Sequence, residues 1–258
     1  MKRYITILTL TLLSLPVFAS RQLIERADSA YNSDDYALAL SLYTEVASES
    51  TSSELLYNIG NTRYRLGDLS GAILCYERAL KIDPTNDDAR ENLAFVNNMT
   101  IDEIKGESGS FLSNAATDIA LSMTADTWAV LALILFIITL GAVAIYIFAS
   151  SIAIRKVGFF GGLVIFAIFV ITLIFAIYAN GLRHDHDDAV ITAPSTILST
   201  KPRAPKDRSE EAMLLHEGTK IRILDSVNTY DSNGNRWYDV QIDNNHRAWV
   251  KDSDIERI

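Results

Sequence analysis

The densest group of chemically capable side chains in the 258-residue sequence is His184-Asp185-His186-Asp187-Asp188, in which imidazoles and carboxylates could collect a divalent cation. Contiguous ligands on a linker lack the preorganised geometry of a metal centre, so the run reads as a solvated acidic segment. The remaining histidines, His216 and His246, stand apart, and neither falls in a His-Glu-x-x-His pattern. The sequence has no Gly-x-Ser-x-Gly elbow, P-loop or dinucleotide fingerprint. Its one cysteine, Cys75, cannot close an intramolecular disulfide or complete a zinc knuckle. The expectation is a chain without catalytic residues, metal or cofactor. A net charge of −9 also argues against nucleic acid, because phosphate binding needs a basic patch. Residues 20–126 carry 18 acidic and 8 basic groups, and residues 180–258 carry 14 and 11.

The elements that carry these groups are divided by a charge-free stretch. Residues 128–154 and 157–178 contain no charged side chain, and only Arg155 and Lys156 interrupt them. Trp128–Ala149 and Val157–Tyr178 are each long enough to cross a hydrocarbon core as a helix, with Trp128 and Tyr178 at interface positions. The pair reads as a transmembrane hairpin whose connection, residues 150–156, is cytoplasmic by the positive-inside rule. The 20 residues before Trp128 hold no Lys or Arg. Gly158 and Gly162 suit close packing of the second span on the first. At the N-terminus, Lys2-Arg3, an apolar run, Pro16 and Val17-Phe18-Ala19 give a signal peptide over residues 1–19. Both soluble parts are then expected on the periplasmic side of the inner membrane.

Residues 20–105 read as helical and repeat with an offset of 33. Ala39 falls over Ala72, Tyr43 over Tyr76, Tyr36 over Leu69 and Asp35 over Asp68. The second copy runs Leu56-Tyr57-Asn58-Ile59-Gly60-Asn61, Tyr64, Leu66-Gly67-Asp68, Ala72, Tyr76, Ala79-Leu80, Asp83-Pro84. It resembles the tetratricopeptide consensus, with small Gly60 and Ala72 at a close helix crossing, Gly67 at the turn and Pro84 as a stop. The first copy is degenerate, with Ala27 where Gly60 stands and Arg26 in place of Ile59. A capping helix starts near Asp87 and covers the last apolar face. Two repeats fall short of the roughly three that make an independent array, so support from a partner or from the membrane segment is expected. The first helix of each repeat lines the groove in such arrays. The candidate protein-binding residues are therefore Tyr57, Asn58, Asn61, Tyr64 and Arg65, with Arg90 and Asn92 on the next helix.

A linker over residues 106–127 leads into the hairpin, and a second over 179–188 leads out of it. Residues 189–258 change period, with five short strand-like runs at Val190-Ile191, Ile197-Leu198, Lys220–Leu224, Trp237–Ile242 and Arg247–Val250. Lys201–Glu211 reads as a long charged loop. Gly218-Thr219, Trp237-Tyr238-x-Val240 and Ala248-Trp249-Val250 resemble bacterial SH3-like domains, whose third motif has Gly where Ala248 stands. Trp237, Tyr238 and Trp249 form a candidate aromatic groove for peptides, or else core and rim packing; alternation alone does not say which face is inside.

The predicted fold is a multi-domain membrane protein: all-α tetratricopeptide repeats, a two-helix transmembrane hairpin and an all-β SH3-like barrel. This order resembles the BatE-type aerotolerance operon proteins. The resemblance implies a non-enzymatic periplasmic scaffold working with von Willebrand factor A-type Bat membrane proteins and a MoxR-type ATPase. The alternative function is a cell-envelope sensor whose SH3-like domain binds peptidoglycan or cell-wall peptides.

Overall fold

The computed structural model describes residues 20–102, 111–184, 187–227, 230–231, 234–243 and 245–258. The signal-peptide segment, Asp185 and His186 lie outside them. The chain divides into two compact units: the helical repeats together with the C-terminal sheet, and the long apolar hairpin.

Five helices build the repeats: α1 (residues 20–32), α2 (Tyr36–Glu49), α3 (Ser53–Arg65), α4 (Leu69–Ile82) and α5 (Asp87–Asn97). The 33-residue offset reappears as shared devices. Asp35 and Asp68 each accept a hydrogen bond from the backbone N–H three residues on, Leu38 and Gly71, and so cap α2 and α4. The turn before each cap needs a left-handed residue. Gly67 supplies it in the second copy with φ +85°, and Asp34 takes the same position in the first with φ 60°. Tyr43 Oη donates to Asp28 at 2.5 Å, and Tyr76 Oη donates to Asn61 at 2.7 Å, again 33 residues apart. The degenerate copy therefore keeps the geometry of the clear one with different side chains.

Seven strands follow: β1 (Asp188–Ile191), β2 (Ser195–Ser199), β3 (Glu211–His216), β4 (Lys220–Ser226), β5 (Trp237–Gln241), β6 (Arg247–Lys251) and β7 (Ile255–Arg257). They form one antiparallel sheet in the order β3-β2-β6-β5-β4-β1-β7. Two of these were not among the five expected. Glu-Ala-Met-Leu-Leu-His is made of good helix formers, yet pairing of Thr196 with Leu215 and Ile197 with Leu214 makes it β3. The short β7 lies at the edge of the sheet and pairs with β1, through Val190–Glu256 and Ile191–Ile255. The charged loop before β3 closes on buried Glu210, which accepts from Lys201 Nζ and Arg203 Nη2 at 2.6 Å and from the Lys206 N–H at 3.1 Å. The Lys201 hydrogen bond, aided by the Lys206 N–H and Arg203, holds the Glu210 carboxyl down to about 2.

The repeats lean on this sheet. Strand β1 is shared between two cores: Ala189 and Ile191 point into the sheet interior, while Val190 enters the repeat core with Leu56, Ile73 and Val96. Beside it, Lys220 Nζ lies 2.8 Å from Glu77 and 3.3 Å from Asp188. Burial disfavours the ammonium, but the two carboxylates outweigh it and raise the Lys220 pKa above its ordinary value. Arg78 pairs with Glu256 at 3.1 Å, and Lys81 donates to the Ile258 main-chain oxygen at 3.0 Å. After α5, the Asp102 carboxylate takes the His216 N–H at 2.6 Å, Thr219 Oγ1 at 2.7 Å and His216 Nδ1 at 3.0 Å. Gly218 lies between those two residues with φ +86°, and a Cβ there would sit 2.8 Å from Thr100 and 2.9 Å from Ile73. Only glycine lets this turn approach the helices so closely.

In the second unit, α6 (Phe111–Leu121) precedes α7 (Ala125–Phe148) and α8 (Ile152–His184). Thr124 caps α7, and the Trp128 indole N–H donates to the Ala120 carbonyl at 3.0 Å. The helices run antiparallel, as the ring pairs Trp128–Phe175, Phe136–Phe169 and Tyr146–Phe159 record. Gly158 and Gly162 both face Ala142 of α7; a Cβ on either would lie 3.0 Å from it. Both helices are long and apolar enough to cross a membrane. The second is longer than the 157–178 span expected, because α8 starts at Ile152 and runs on to His184. Arg155 and Lys156 are therefore helical, near its start, and the connection shrinks to Ala149–Ser151.

Candidate functional site

The seam between α3 and α5 gathers most of the predicted groove. Asn61 sits one residue beyond Gly60, where α3 crosses α4 closely enough for the buried Tyr76 hydroxyl to reach it. Burial pushes the Tyr76 hydroxyl pKa well above its ordinary value, so it stays a donor. Asn92 Nδ2 donates to the same Asn61 oxygen at 2.8 Å and reaches toward Tyr57 Oη at 3.5 Å. Tyr57 packs against Tyr76 with ring centroids 6.1 Å apart, and Tyr64 meets Phe95 edge-to-face at 5.9 Å. The Asn61 oxygen is thus consumed in fixing the seam. Among the described residues, the Asn61 Nδ2 donors and the whole Asn58 amide have no protein partner.

Arg65 and Arg90 stand apart from that cluster. Arg65 turns back to the first repeat, 3.3 Å from Asp34 and 4.6 Å over the Tyr36 ring. Arg90 pairs with Asp87 of its own helix. Sequence reasoning missed Phe95, which is 52% exposed although apolar, with Met99 exposed one turn on. The available signal was an aromatic on the capping helix that is not needed by its buried face of Ala89, Leu93 and Val96. The seam therefore offers free amides at one end and an aromatic patch at the other, suited to a protein segment with main-chain polar groups and an apolar side chain.

A second concavity, about 410 Å³, opens among α2, α3 and α4. Its cations are engaged: Arg63 by Asp68 at 2.6 Å, Arg78 by Glu256 and Lys81 by the Ile258 oxygen. Cys75 lines it with a thiol that burial pushes up to about 11, so it is not a ready nucleophile.

The sheet aromatics do not share a surface. Register pairs Tyr238 with Val250 and Asp239 with Trp249, which puts Tyr238 in the core with Val240 and Val250. Trp237 and Trp249 take the opposite face. Trp237 is only 3% exposed, and its indole N–H donates to Asp231 at 2.8 Å. Of the three candidates only Trp249 presents partly to solvent. No group of three or more His, Cys, Asp or Glu capable of holding a metal ion occurs among the described residues.

Residues 56–99 match the tetratricopeptide repeat family. The match covers α3 from Leu56 onward, α4 and α5, and so includes Tyr57, Asn61, Tyr64, Asn92 and Phe95 of the seam. No curated protein matches the chain.

Proposed function

We propose that this tetratricopeptide-containing chain is a non-enzymatic, membrane-anchored scaffold that holds a protein segment along α3 and α5. The observation that carries the reading is the seam itself: unengaged Asn58 and Asn61 donors at one end and exposed Phe95 at the other, on a repeat type that serves protein–protein contact. The α7–α8 hairpin is the anchor. Its outward side chains are apolar along its length, Phe148 being 81% exposed, and water offers them no partner. A two-span anchor returns the chain to the side it left. This agrees with the bonds between Asp102 before the hairpin and His216 and Thr219 after it. With an export signal at the N-terminus and two cations at the turn, that side is the periplasm and the membrane is the inner one. The domain order further supports work within a Bat-type stress or oxygen-tolerance complex, with von Willebrand factor A-type membrane proteins as partners.

Asn58→Ala combined with Phe95→Ala tests the groove while keeping the Tyr76–Asn61–Asn92 hydrogen bonds of the seam, at the cost of the Tyr64–Phe95 ring contact. Affinity isolation of the full chain in mild detergent should lose its co-purifying proteins by about tenfold. An unchanged set at unchanged yield would remove the groove from the function.

A further inference from the structure

The turn end of the hairpin holds a concavity of about 320 Å³ lined by Tyr146, Ile152, Arg155, Lys156, Phe159 and Phe160. We infer that it binds the phosphate-bearing headgroup of an anionic phospholipid. The inference rests on the membrane reading above and adds a ligand to it.

Among the described residues, no carboxylate pairs with its two cations. No Asp or Glu occurs in the sequence between Asp126 and Asp185, and Asp126 lies in the first turn of α7, at the opposite end of the hairpin. Arg155 closes the first turn of α8, where the helix dipole disfavours positive charge, and Lys156 follows it directly, so an anion there offsets both the dipole and the unpaired charge. Arg155 is already oriented: its Nε donates to the Tyr146 carbonyl at 3.1 Å, and its guanidinium lies 5.5 Å from the Tyr146 ring centroid. The terminal guanidinium nitrogens remain to fork a phosphate, with the Lys156 ammonium as a second charge. A free phosphate would use these cations and leave the rest of the lining bare. Ile152 is 72% exposed and Phe160 62%, and these flanking surfaces fit acyl chains. A phospholipid satisfies both halves, as basic pockets beside membrane helices do elsewhere.

The test uses the full chain in dodecyl maltoside micelles doped equally with phosphatidylglycerol and phosphatidylcholine, with bound lipid read by native mass spectrometry. Wild type should retain phosphatidylglycerol in preference by roughly 25-fold, since each of the two cations near an anionic headgroup contributes about fivefold. Arg155→Gln with Lys156→Gln should abolish the preference, and Arg155→Lys alone should keep part of it. Equal retention of the two lipids by wild type, or an unchanged preference in the double variant, overturns the site. Loss of the adduct on adding inorganic phosphate at the lipid concentration also overturns it, by assigning the cations to a free anion. A prior detergent phase-partition step isolates the other premise: a chain that stays in the aqueous phase overturns the membrane reading itself.

Discussion

Asp102→Ala should lower the stability of the repeat–sheet unit by about 2–4 kcal/mol, because it strips partners from two donors of His216 and one of Thr219. A buried donor left unpaired costs about 1–3 kcal/mol, and the Thr219 hydroxyl can turn to water more easily than the His216 N–H. For a unit of this size the loss corresponds to a fall of roughly 5–15 °C in Tm. Asp102→Asn keeps an acceptor oxygen and should fall between. The effect also has a pH signature. Burial alone would raise the Asp102 pKa, but the hydrogen bonds from His216 and Thr219 outweigh it and lower it below the ordinary carboxylate value. The contribution is therefore fully present above about pH 4 and is lost as pH falls through the depressed native value. Thermal unfolding of the detergent-solubilised chain, followed by far-ultraviolet circular dichroism and by tryptophan emission, checks both points. Two of the three tryptophans lie in the sheet, the third, Trp128, lies in the hairpin and none lies in α1–α5, so in a Trp128→Phe background emission reports the sheet while the helical signal includes the repeats. The variant should separate two transitions that coincide in wild type. A coincident, unshifted transition would mean that the contact is dispensable.

Gly60→Ala should cost about 2–3 kcal/mol and weaken the groove together with the fold. A Cβ at this position would lie 2.6 Å from Tyr76 Cε1 and 2.8 Å from Cδ1. The obstructing ring is rigid and 1% exposed, so relief requires a shift of α3 against α4, and overpacking of this kind typically costs 1–3 kcal/mol. Any such shift draws Tyr76 Oη away from Asn61, which also anchors Asn92. The first repeat supplies the control. Ala27 occupies the equivalent position there, fully buried, so that crossing accommodates the methyl. Ala27→Gly should therefore show no strain, only the helix-propensity loss of about 1 kcal/mol and a similar loss from the buried methyl. Urea unfolding midpoints of both variants decide the matter; a Gly60→Ala protein within 0.5 kcal/mol of wild type would refute the tight crossing.

The repeats were legible because their signals are local: a 33-residue offset, a cap three residues before the N–H that donates to it, and a turn residue with positive φ. Asp34 is instructive, since only alignment with Gly67 identifies it as a left-handed residue. Strand β3 was illegible because its residues favour helix and only pairing with β2 makes them extended. The faces of Trp237, Tyr238 and Trp249 required the β5–β6 register, since a shift of one residue would exchange inside for outside. The docking of the repeats on the sheet left no pattern at all. It joins Asp102 to His216 across 114 residues through ordinary polar side chains, and it draws one strand residue, Val190, into the helical core.

That long separation sets a timetable for biogenesis. A ribosome adding about 5–20 residues per second needs roughly 6–20 s to travel from Asp102 to His216, and longer to reach Arg257. During that interval the repeats have emerged without Val190, and their last apolar surface is open to chaperones and proteases. Chains stalled on the ribosome shortly after α8 should be cut within α3–α5 far faster than released full-length protein. Equal resistance would show that the repeats mature before the sheet is made. The C-terminal strands then act as the late quality signal of the whole molecule: a truncated product leaves its oldest segment unfinished and marked for removal.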